Sequence, residues 1–203
     1  MMKIIFATGN KNKLLEIQSI MDGMGYDIIT AHDAGIDTDP EENGESFEEN
    51  ALIKARAVYE HTDRSAIVMS DDSGLCIDAL GGEQGLLGIH SARFMGHDTS
   101  YDIKNKEILK RLEGMQDKDR AARFVCAVAA ILPSGKEIVV REAMEGFISH
   151  ETAGANGFGY DPVFYLPEFG KTSAEISPEA KNLISHRGKA LRHMRAVLAE
   201  ADI

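Results

Sequence analysis

The chain has 203 residues and 43% hydrophobic side chains, a length typical of one or two domains and an apolar content sufficient for a sizeable core. Its formal net charge of -11 makes nucleic-acid polymers and anionic membranes unexpected partners, because both bind basic surfaces, although a local group of lysines could still bind one nucleotide. No apolar run approaches the length of a membrane span, and no signal-peptide pattern precedes the first apolar run, so we expect a cytoplasmic protein.

A strand, a short basic loop and a helix are predicted at the start of the chain. The strand spans Lys3 to Thr8, the loop is Gly9 to Lys13, and the helix is expected to end at Gly25. The apolar stripe of this helix consists of Leu14, Ile17, Ile20, Met21 and Met24. Free N–H groups and the positive dipole end at the start of the helix favour an anion, and Lys11 and Lys13 add full charges. The alternative is a basic surface turn without a ligand.

A short strand at Tyr26 to Ala31 is followed by an acidic loop, Asp33 to Glu45, and by a second helix. The S-x-x-E pattern of Ser46 to Glu49 predicts a capping box, in which the serine hydroxyl and the glutamate carboxylate bind each other's backbone N–H. The residues of this helix expected to face the core are Ala51, Ala55, Val58 and Tyr59. Asn50 and Lys54 lie four apart on a neighbouring face, so Lys54 is either exposed or directed at whatever the acidic loop surrounds.

Two adjacent aspartates, Asp71 and Asp72, lie between two predicted strands, Ala66 to Met69 and Leu75 to Leu80. Neighbouring carboxylates repel each other, and the repulsion grows as solvent is excluded, so a cation is expected beside them. Two interpretations are open. One is a plain Asp-rich turn in which Gly74 has a positive φ, and the other is a metal-binding site that activates a water molecule.

The middle of the chain predicts a glycine-rich loop, a helix and a pair of strands. The loop, Gly81 to His97, is long enough to be functional or mobile. Thr99 is predicted to cap the helix, with Asp102 at the capping-box position. The residues of this helix expected to face inward are Ile108, Leu109 and Leu112. The apolar run Phe124 to Leu132 predicts a strand buried on both faces, and the alternating Glu137 to Ile148 predicts its antiparallel partner. This order of elements indicates an α/β fold with a mixed sheet.

A second concentration of unusual residues is Gly154 to Pro162, GANGFGYDP. Its glycines allow a close approach of the backbone to a ligand, while Phe158 and Tyr160 offer flat faces on which a base could stack. A plain tight turn is the alternative interpretation.

Two helices are predicted at the C-terminal end. The first begins at Ser177-Pro178 and the second is capped by Ser185. His186 and Arg187 then fall in the first turn of the last helix, where the helix dipole disfavours cations. A ligand-facing role would explain this placement, and a solvated helix end would tolerate it.

Six motifs, in this order along the chain, resemble the inosine triphosphate pyrophosphatase family. They are TGNKNK at Thr8 to Lys13, SFEENA at Ser46 to Ala51, SDDSGL at Ser70 to Leu75, SAR at Ser91 to Arg93, GFGYDP at Gly157 to Pro162 and SHRGKAL at Ser185 to Leu191. The resemblance implies Mg²⁺-dependent hydrolysis of purine nucleoside triphosphates with deaminated bases (ITP, dITP and XTP) to the monophosphate and pyrophosphate, usually by a homodimer. It also implies one ITPase-like domain over residues 1–203, an elongated α/β fold with a mixed β-sheet and flanking helices. Its two lobes, without a linker, would surround an active-site cleft.

The resemblance also implies roles for individual residues. Asp72 matches the catalytic proton acceptor and a metal ligand, Glu42 matches the acidic-loop residue that helps hold the metal, and Asp71 is a supporting neighbour. Ser73 would contact the substrate. The triphosphate-binding positions are Thr8, Gly9, Asn10, Lys11, Asn12, Lys13 and Lys54. The positions that hold the base and sugar are Phe158, Gly159, Tyr160, Asp161, Lys181, His186 and Arg187. The last two, or a backbone N–H, would supply the donor that accepts a 6-oxo purine and rejects the amino group of adenine.

Two other functions stay open at this point. One is a pyrophosphatase for another modified nucleotide, and the other is a nucleotide-binding sensor without catalysis. The presence of Asp72 and Glu42 argues against the sensor, because a sensor has no use for a general base. The chain also departs from the family pattern in two places. Extra residues around Leu86 to Gly88 lengthen the loop before SAR, and Asn156 stands where a glycine is common.

Overall fold

The computed structural model describes residues 2–8, 11–21, 23 and 25–201. Seven strands lie within these ranges: β1 Met2–Phe6, β2 Tyr26–Thr30, β3 Ile67–Ile77, β4 Ala121–Ile131, β5 Glu137–Ile148, β6 Phe164–Leu166 and β7 Lys171–Thr172. Five α-helices lie within them as well: α1 Lys11–Met21, α2 Phe47–Tyr59, α3 Tyr101–Arg111, α4 Pro178–Ile184 and α5 His186–Glu200. Among the described residues, no helix is both long enough and apolar enough to cross a bilayer.

The strands form one sheet in the order β2-β1-β3-β4-β5-β6-β7. β1 runs parallel to both β2 and β3, whereas β6 runs antiparallel to both β5 and β7. β4 and β5 are neighbours joined by a turn in which the Leu132 N–H donates to the Lys136 carbonyl, and strands joined by so short a turn run antiparallel. The predicted α/β class and mixed sheet are therefore confirmed.

The chain divides into two compact units, and strands β3, β4 and β5 contribute residues to both. Unit 1 consists of Met1–Asp72, Cys126–Glu142 and His186–Ile203, and unit 2 consists of Ser73–Val125 and Ala143–Ser185. The cleft between two lobes stays a prediction from the family resemblance.

Unit 1 has a core formed by one side of its strands and by helices α1 and α5. Ile17 and Met21 of α1 pack with Leu191 and Met194 of α5 over Met69 of β3. These residues recur at three- and four-residue spacing on each helix, which is the pattern expected of a helix with one buried face. The stripe predicted for α1 is confirmed at Ile17, Ile20 and Met21, whereas Leu14 is only half-buried and does not belong to this core. Met24 lies outside the described residues.

Unit 2 has its own core, which is built around aromatic and branched side chains. Ile108 of α3 and Leu112, the residue after this helix, pack with Phe124 of β4 and Phe164 of β6. The ring centroids of the two phenylalanines are 4.5 Å apart. The inward face predicted for α3 is confirmed, because Leu109 also packs against this core. β4 is buried along nearly its whole length, as the continuous apolar run predicts.

The two strands predicted around the aspartates are one continuous strand, so the interpretation of this segment as a plain Asp-rich turn is wrong. Ser70 to Gly74 lie inside β3, which runs without interruption from Ile67 to Ile77 and is buried on both faces. The polar side chains interrupt the apolar pattern, but they form hydrogen bonds or ion pairs with residues of other elements. The buried Ser70 hydroxyl, for example, donates to the Ala51 carbonyl of α2. A strand can therefore pass through this segment without exposing it.

Three of the predicted helix ends need correction. α1 ends at Met21, earlier than predicted, and both Gly23 (φ 69°) and the predicted Gly25 (φ 80°) have a positive φ beyond it. α3 begins after Ser100, and Thr99 instead donates its hydroxyl to the Met95 carbonyl, so the predicted Thr99 cap is wrong. At the start of α2 the Ser46 hydroxyl accepts the Glu49 N–H at 3.2 Å as predicted, but the Glu49 carboxylate accepts the N–H of Glu45. By contrast, Ser177 and Pro178 begin α4 as predicted.

The glycine-rich loop before SAR is compactly folded. A Cβ at Gly88, where φ is 46°, would lie 1.8 Å from the Glu83 carbonyl oxygen, and a Cβ at Gly85 would lie 2.1 Å from that of Leu80. Leu87, within the lengthened segment, is buried in the core of unit 2. The extra residues around Leu86 to Gly88 are therefore an integral part of this unit.

Candidate active site

The two aspartates of β3 point to opposite faces of the sheet, because successive side chains of a strand alternate. Asp71 follows Met69 on the face covered by α1 and α5, and Asp72 follows Ser70 on the face covered by α2. Each carboxylate meets its own cations there. This arrangement explains how two adjacent acidic residues can both be buried in one strand.

Asp71 is 2% exposed and is held by two cations. Its Oδ2 lies 2.9 Å from the Lys13 Nζ and 3.3 Å from the Arg187 Nε. Burial by itself would raise the pKa of Asp71, but the Lys13 and Arg187 charges outweigh burial and hold that pKa well below its usual range. Asp71 is therefore an ionised anchor that fixes Lys13 in the first turn of α1 and Arg187 in the first turn of α5.

The contact with Asp71 also explains the unusual position of Arg187. A cation in the first turn of a helix is disfavoured by the helix dipole, and the buried carboxylate offsets that cost. His186 and Arg187 are both buried, so the solvated helix end considered from the sequence is wrong.

Asp72 is 7% exposed and faces Lys54 of α2. The Lys54 Nζ lies 2.7 Å from the Asp72 Oδ1 and 3.5 Å from the Glu42 Oε2. Burial raises the pKa of Asp72, and the nearby Lys54 charge opposes the rise. Burial also opposes the charged form of Lys54, but the carboxylates of Asp72, Asp71 and Glu42 outweigh burial and raise the pKa of the lysine. Lys54 is therefore cationic, and the exposed-lysine alternative is wrong.

The acidic loop is attached to the first turns of α2. The Gly44 N–H donates to the Asn50 Oδ1 at 2.9 Å, and a Cβ on Gly44 would come within 2.8 Å of that same oxygen. Glu42 is two residues away from this anchor, and Lys54 is one helical turn beyond Asn50. This anchor explains how a loop residue thirty positions before Asp72 reaches the same lysine. Asn50 was not among the predicted site residues, although its four-residue spacing from Lys54 was a usable signal.

The predicted metal ligands, Glu42 and Asp72, fit a divalent cation. Their carboxylates converge on one ammonium group, so both contact the same cation, and hard oxygen donors are what Mg²⁺ prefers. No group of three or more acidic, histidine or cysteine side chains able to hold a metal occurs among the described residues. Mg²⁺ commonly binds through one or two carboxylates plus substrate phosphates and water, so this small donor set suits a metal that arrives with a nucleotide.

The predicted phosphate loop is described only in part. Thr8 follows β1, and its N–H donates to the Phe6 carbonyl at 3.0 Å. Gly9 and Asn10 lie outside the described residues, and for Lys11 and Asn12 the description covers only the helical backbone. The predicted strand and helix on either side of this gap are confirmed, but α1 begins at Lys11, so the prediction that Lys11 to Lys13 belong to the loop is wrong.

The predicted base-binding loop in unit 2 is organised by Asp161. This carboxylate, 2% exposed, accepts the Phe158 N–H at 2.8 Å, the Ser173 hydroxyl at 2.9 Å and the Lys181 ammonium at 2.8 Å. The Lys181 ammonium also lies 5.2 Å from the centroid of the Phe158 ring. A Cβ on Gly157, where φ is 74°, would lie 2.1 Å from the Asp161 carboxylate, so only glycine fits there. Phe158 is thus held by a buried ion pair.

Tyr160 belongs to the core of unit 2. Its hydroxyl donates to the Ser91 carbonyl at 2.6 Å, and its ring packs edge-to-face on Tyr101 at 5.1 Å. Burial raises the pKa of Tyr160, so its phenol stays protonated. The Tyr160 ring is therefore packed against protein and is not available to stack on a base, whereas stacking by Phe158 stays a prediction. Ser73 also lies in unit 2, where it is half-buried.

The sequence and the structure resemble those of proteins already known. A model of the Ham1 family matches residues 4–197. A dITP/XTP pyrophosphatase of Bacillus licheniformis is 43% identical over 202 residues, which cover 99% of this chain and 100% of that protein. One of Treponema denticola is 45% identical over 193 residues, covering 94% and 95%. The structure of a HAM1 protein from Coxiella burnetii has a TM-score of 0.86 at 37% identity, covering 99% of this chain and 100% of that one. These matches extend over nearly the whole chain, which belongs to the Ham1 family.

Proposed function

We propose that this protein hydrolyses purine nucleoside triphosphates with deaminated bases, ITP, dITP and XTP, to the monophosphate and pyrophosphate, and so removes them from the nucleotide pool. The observation that carries the proposal is the pair of aspartates on opposite faces of β3, one fixing Lys13 and Arg187 and the other facing Lys54 and Glu42. The names of the relatives from Bacillus licheniformis and Treponema denticola support it.

Asp72 would act as the general base. Burial raises its pKa, and a more basic carboxylate accepts a proton more readily from a water molecule. The oxygen of that water forms a bond to the α-phosphorus, the bond from this phosphorus to the α,β-bridging oxygen breaks, and the water proton passes to Asp72. Pyrophosphate leaves with the electron pair of the broken bond.

Lys13 and Lys54 would bind the triphosphate and offset charge that develops on the leaving pyrophosphate. Because the surrounding carboxylates raise the pKa of Lys54, this residue acts as a fixed positive charge and not as a base. Asp71 keeps Lys13 at one position before substrate arrives. Such preorganised charges are the largest contribution to many phosphoryl-transfer reactions.

A magnesium ion is part of the proposal, with Glu42 and Asp72 as its protein ligands. When bound, Mg²⁺ would neutralise charge on the phosphate oxygens. Phe158 would stack on the base, and a donor at the 6-position would favour hypoxanthine and xanthine, because adenine presents an amino donor there. A homodimer, implied by the family resemblance, and the cytoplasmic location expected from the sequence complete the proposal.

The test is pyrophosphate release from ITP, dITP, XTP, GTP and ATP, each with and without Mg²⁺. We expect rapid release from the first three with Mg²⁺, little from GTP or ATP, and little from any without the metal. Equal turnover of ATP would overturn the substrate assignment in favour of an unselective enzyme. Turnover restricted to a different modified nucleotide would support the related pyrophosphatase, and binding without turnover would support the sensor.

A further inference from the structure

Two polar residues of α3, Lys104 and Asn105, are buried in unit 2 and have no part in the proposed mechanism. Each is 1% exposed, and each makes one hydrogen bond to a backbone carbonyl of a different segment. The Lys104 ammonium donates to the Ala92 carbonyl at 3.0 Å, and the Asn105 Nδ2 donates to the Gly159 carbonyl at 3.1 Å. Only the Asn105 bond reaches the loop predicted to bind the base.

The Asn105 amide is held by this one bond. Its Oδ1 is buried and has no hydrogen-bond partner within the described part of the chain. A buried acceptor without a partner costs free energy that an apolar side chain of the same size would not incur. The reverse orientation of the amide would place two carbonyl oxygens against each other, so the donor must face Gly159. The hydrogen bond to the Gly159 carbonyl therefore accounts for an asparagine at this buried position.

The contact fixes the orientation of one peptide plane in the loop. The Gly159 carbonyl and the Tyr160 N–H belong to the same peptide group, and in a trans peptide they point in opposite directions. With the carbonyl bound to Asn105, the Tyr160 N–H is directed away from α3. This N–H makes no hydrogen bond within the described part of the chain, and it follows Phe158 by two residues.

The rest of the loop is held independently of Asn105. The buried Asp161 fixes the Phe158 N–H, and Gly159 lies beside α3, where a Cβ would be in ordinary van der Waals contact with the Tyr101 ring at 3.6 Å. The Tyr160 hydroxyl is fixed by the Ser91 carbonyl. Loss of Asn105 would therefore release the Gly159–Tyr160 peptide plane while the aromatic side chains on either side stay in place.

We propose that Asn105 is a positioning residue for base recognition: by binding the Gly159 carbonyl, it directs the Tyr160 N–H at the 6-oxygen of a 6-oxo purine. This inference rests on the proposed function. The donor distinguishes hypoxanthine, xanthine and guanine, which carry an oxygen at position 6, from adenine, which carries an amino group. It does not distinguish hypoxanthine from guanine, which differ at position 2.

The test compares two triphosphates that differ only at position 6, ITP and purine riboside 5′-triphosphate, which carries hydrogen there. Asn105→Leu keeps the size of the side chain and removes the donor. We expect kcat/KM for ITP to fall about tenfold, the scale of one hydrogen bond, and that for purine riboside triphosphate to change less than about twofold. The ratio of kcat/KM for ITP to kcat/KM for GTP should be the same in the variant as in wild type, because both bases carry the 6-oxygen.

The matched control is Lys104→Met, the adjacent and equally buried residue whose single bond goes to Ala92. It should lower the midpoint of thermal unfolding and leave unchanged the ratio of kcat/KM for ITP to kcat/KM for purine riboside triphosphate. Should Asn105→Leu not fold, Asn105→Ser makes the same comparison, because its side chain is too short to reach Gly159.

The outcomes separate the two proposals. The positioning role is overturned if kcat/KM falls equally for ITP and purine riboside triphosphate in the Asn105 variant, or if Lys104→Met changes the ratio of these two kcat/KM values as much as the Asn105 variant does. Either result leaves the enzyme assignment intact. Wild-type protein without ITP turnover overturns both.

Discussion

Replacing each β3 aspartate in turn by asparagine should affect stability in one variant and catalysis in the other. The two carboxylates lie on opposite faces of the strand and contact different cations. Asp71→Asn removes the anion between Lys13 and Arg187, whose side chains are 17% and 3% exposed. Removing one member of a buried ion pair typically costs about 3–5 kcal/mol. Because Lys13 keeps some access to solvent, we expect the lower end, about 3 kcal/mol in the free energy of unfolding.

Asp72→Asn should show the opposite pattern. Lys54 is 15% exposed and has Glu42 at 3.5 Å as a second carboxylate, so the loss of Asp72 leaves the ammonium with a partner. We expect about 1 kcal/mol or less in stability. The loss of the general base should lower kcat by about 10²- to 10⁴-fold.

Both quantities can be measured on the same two variants. Urea unfolding followed by circular dichroism reports stability, and pyrophosphate release from saturating ITP reports kcat. Near-normal turnover in Asp72→Asn would refute its role as the base. A stable Asp71→Asn protein with a loss of kcat as large as that of Asp72→Asn would refute the division of roles between the two faces.

Three further predictions concern the ion pairs of the site and the glycine-rich loop of unit 2. Lys13→Ala should raise KM for ITP by at least about tenfold, the effect of one charge-assisted contact, and an unchanged KM and kcat would remove this residue from the phosphate site. The pKa of Asp71 is lower in the folded protein than its value of about 3.9 in the unfolded chain. Its contribution to stability is therefore full above about pH 3.9 and is lost as the pH falls toward the folded pKa. The urea midpoint should fall more steeply below about pH 4 in wild type than in Asp71→Asn, and parallel curves would contradict this. Gly88→Ala should lower the free energy of unfolding by about 2 kcal/mol or more, because its Cβ would overlap the Glu83 carbonyl. An unchanged free energy of unfolding in urea would show that the loop can open without cost.

Much of the fold could be predicted from local patterns. The apolar spacing of Ile17 and Met21 predicted the buried face of α1, and the uninterrupted run around Val128 predicted a strand buried on both sides. Ser177 and Pro178 marked the start of α4. These signals lie within a few residues of one another, because helix periodicity, strand burial and capping depend on neighbouring side chains. The order of six motifs was likewise sufficient to indicate the family.

The structure of β3 and the partners of its aspartates were decided by contacts between distant parts of the chain. Asp71 binds Lys13, fifty-eight positions earlier, and Arg187, one hundred and sixteen positions later, so no local pattern could show that a polar segment continues as a strand. The roles of Asn50 and Asn105 depend in the same way on where the fold brings the Gly44 N–H and the Gly159 carbonyl. Sequence by itself determined which residues carry charge and which segments bury apolar surface. Only the tertiary structure decided which charges meet, because burial makes an ion pair or hydrogen bond necessary without specifying its partner.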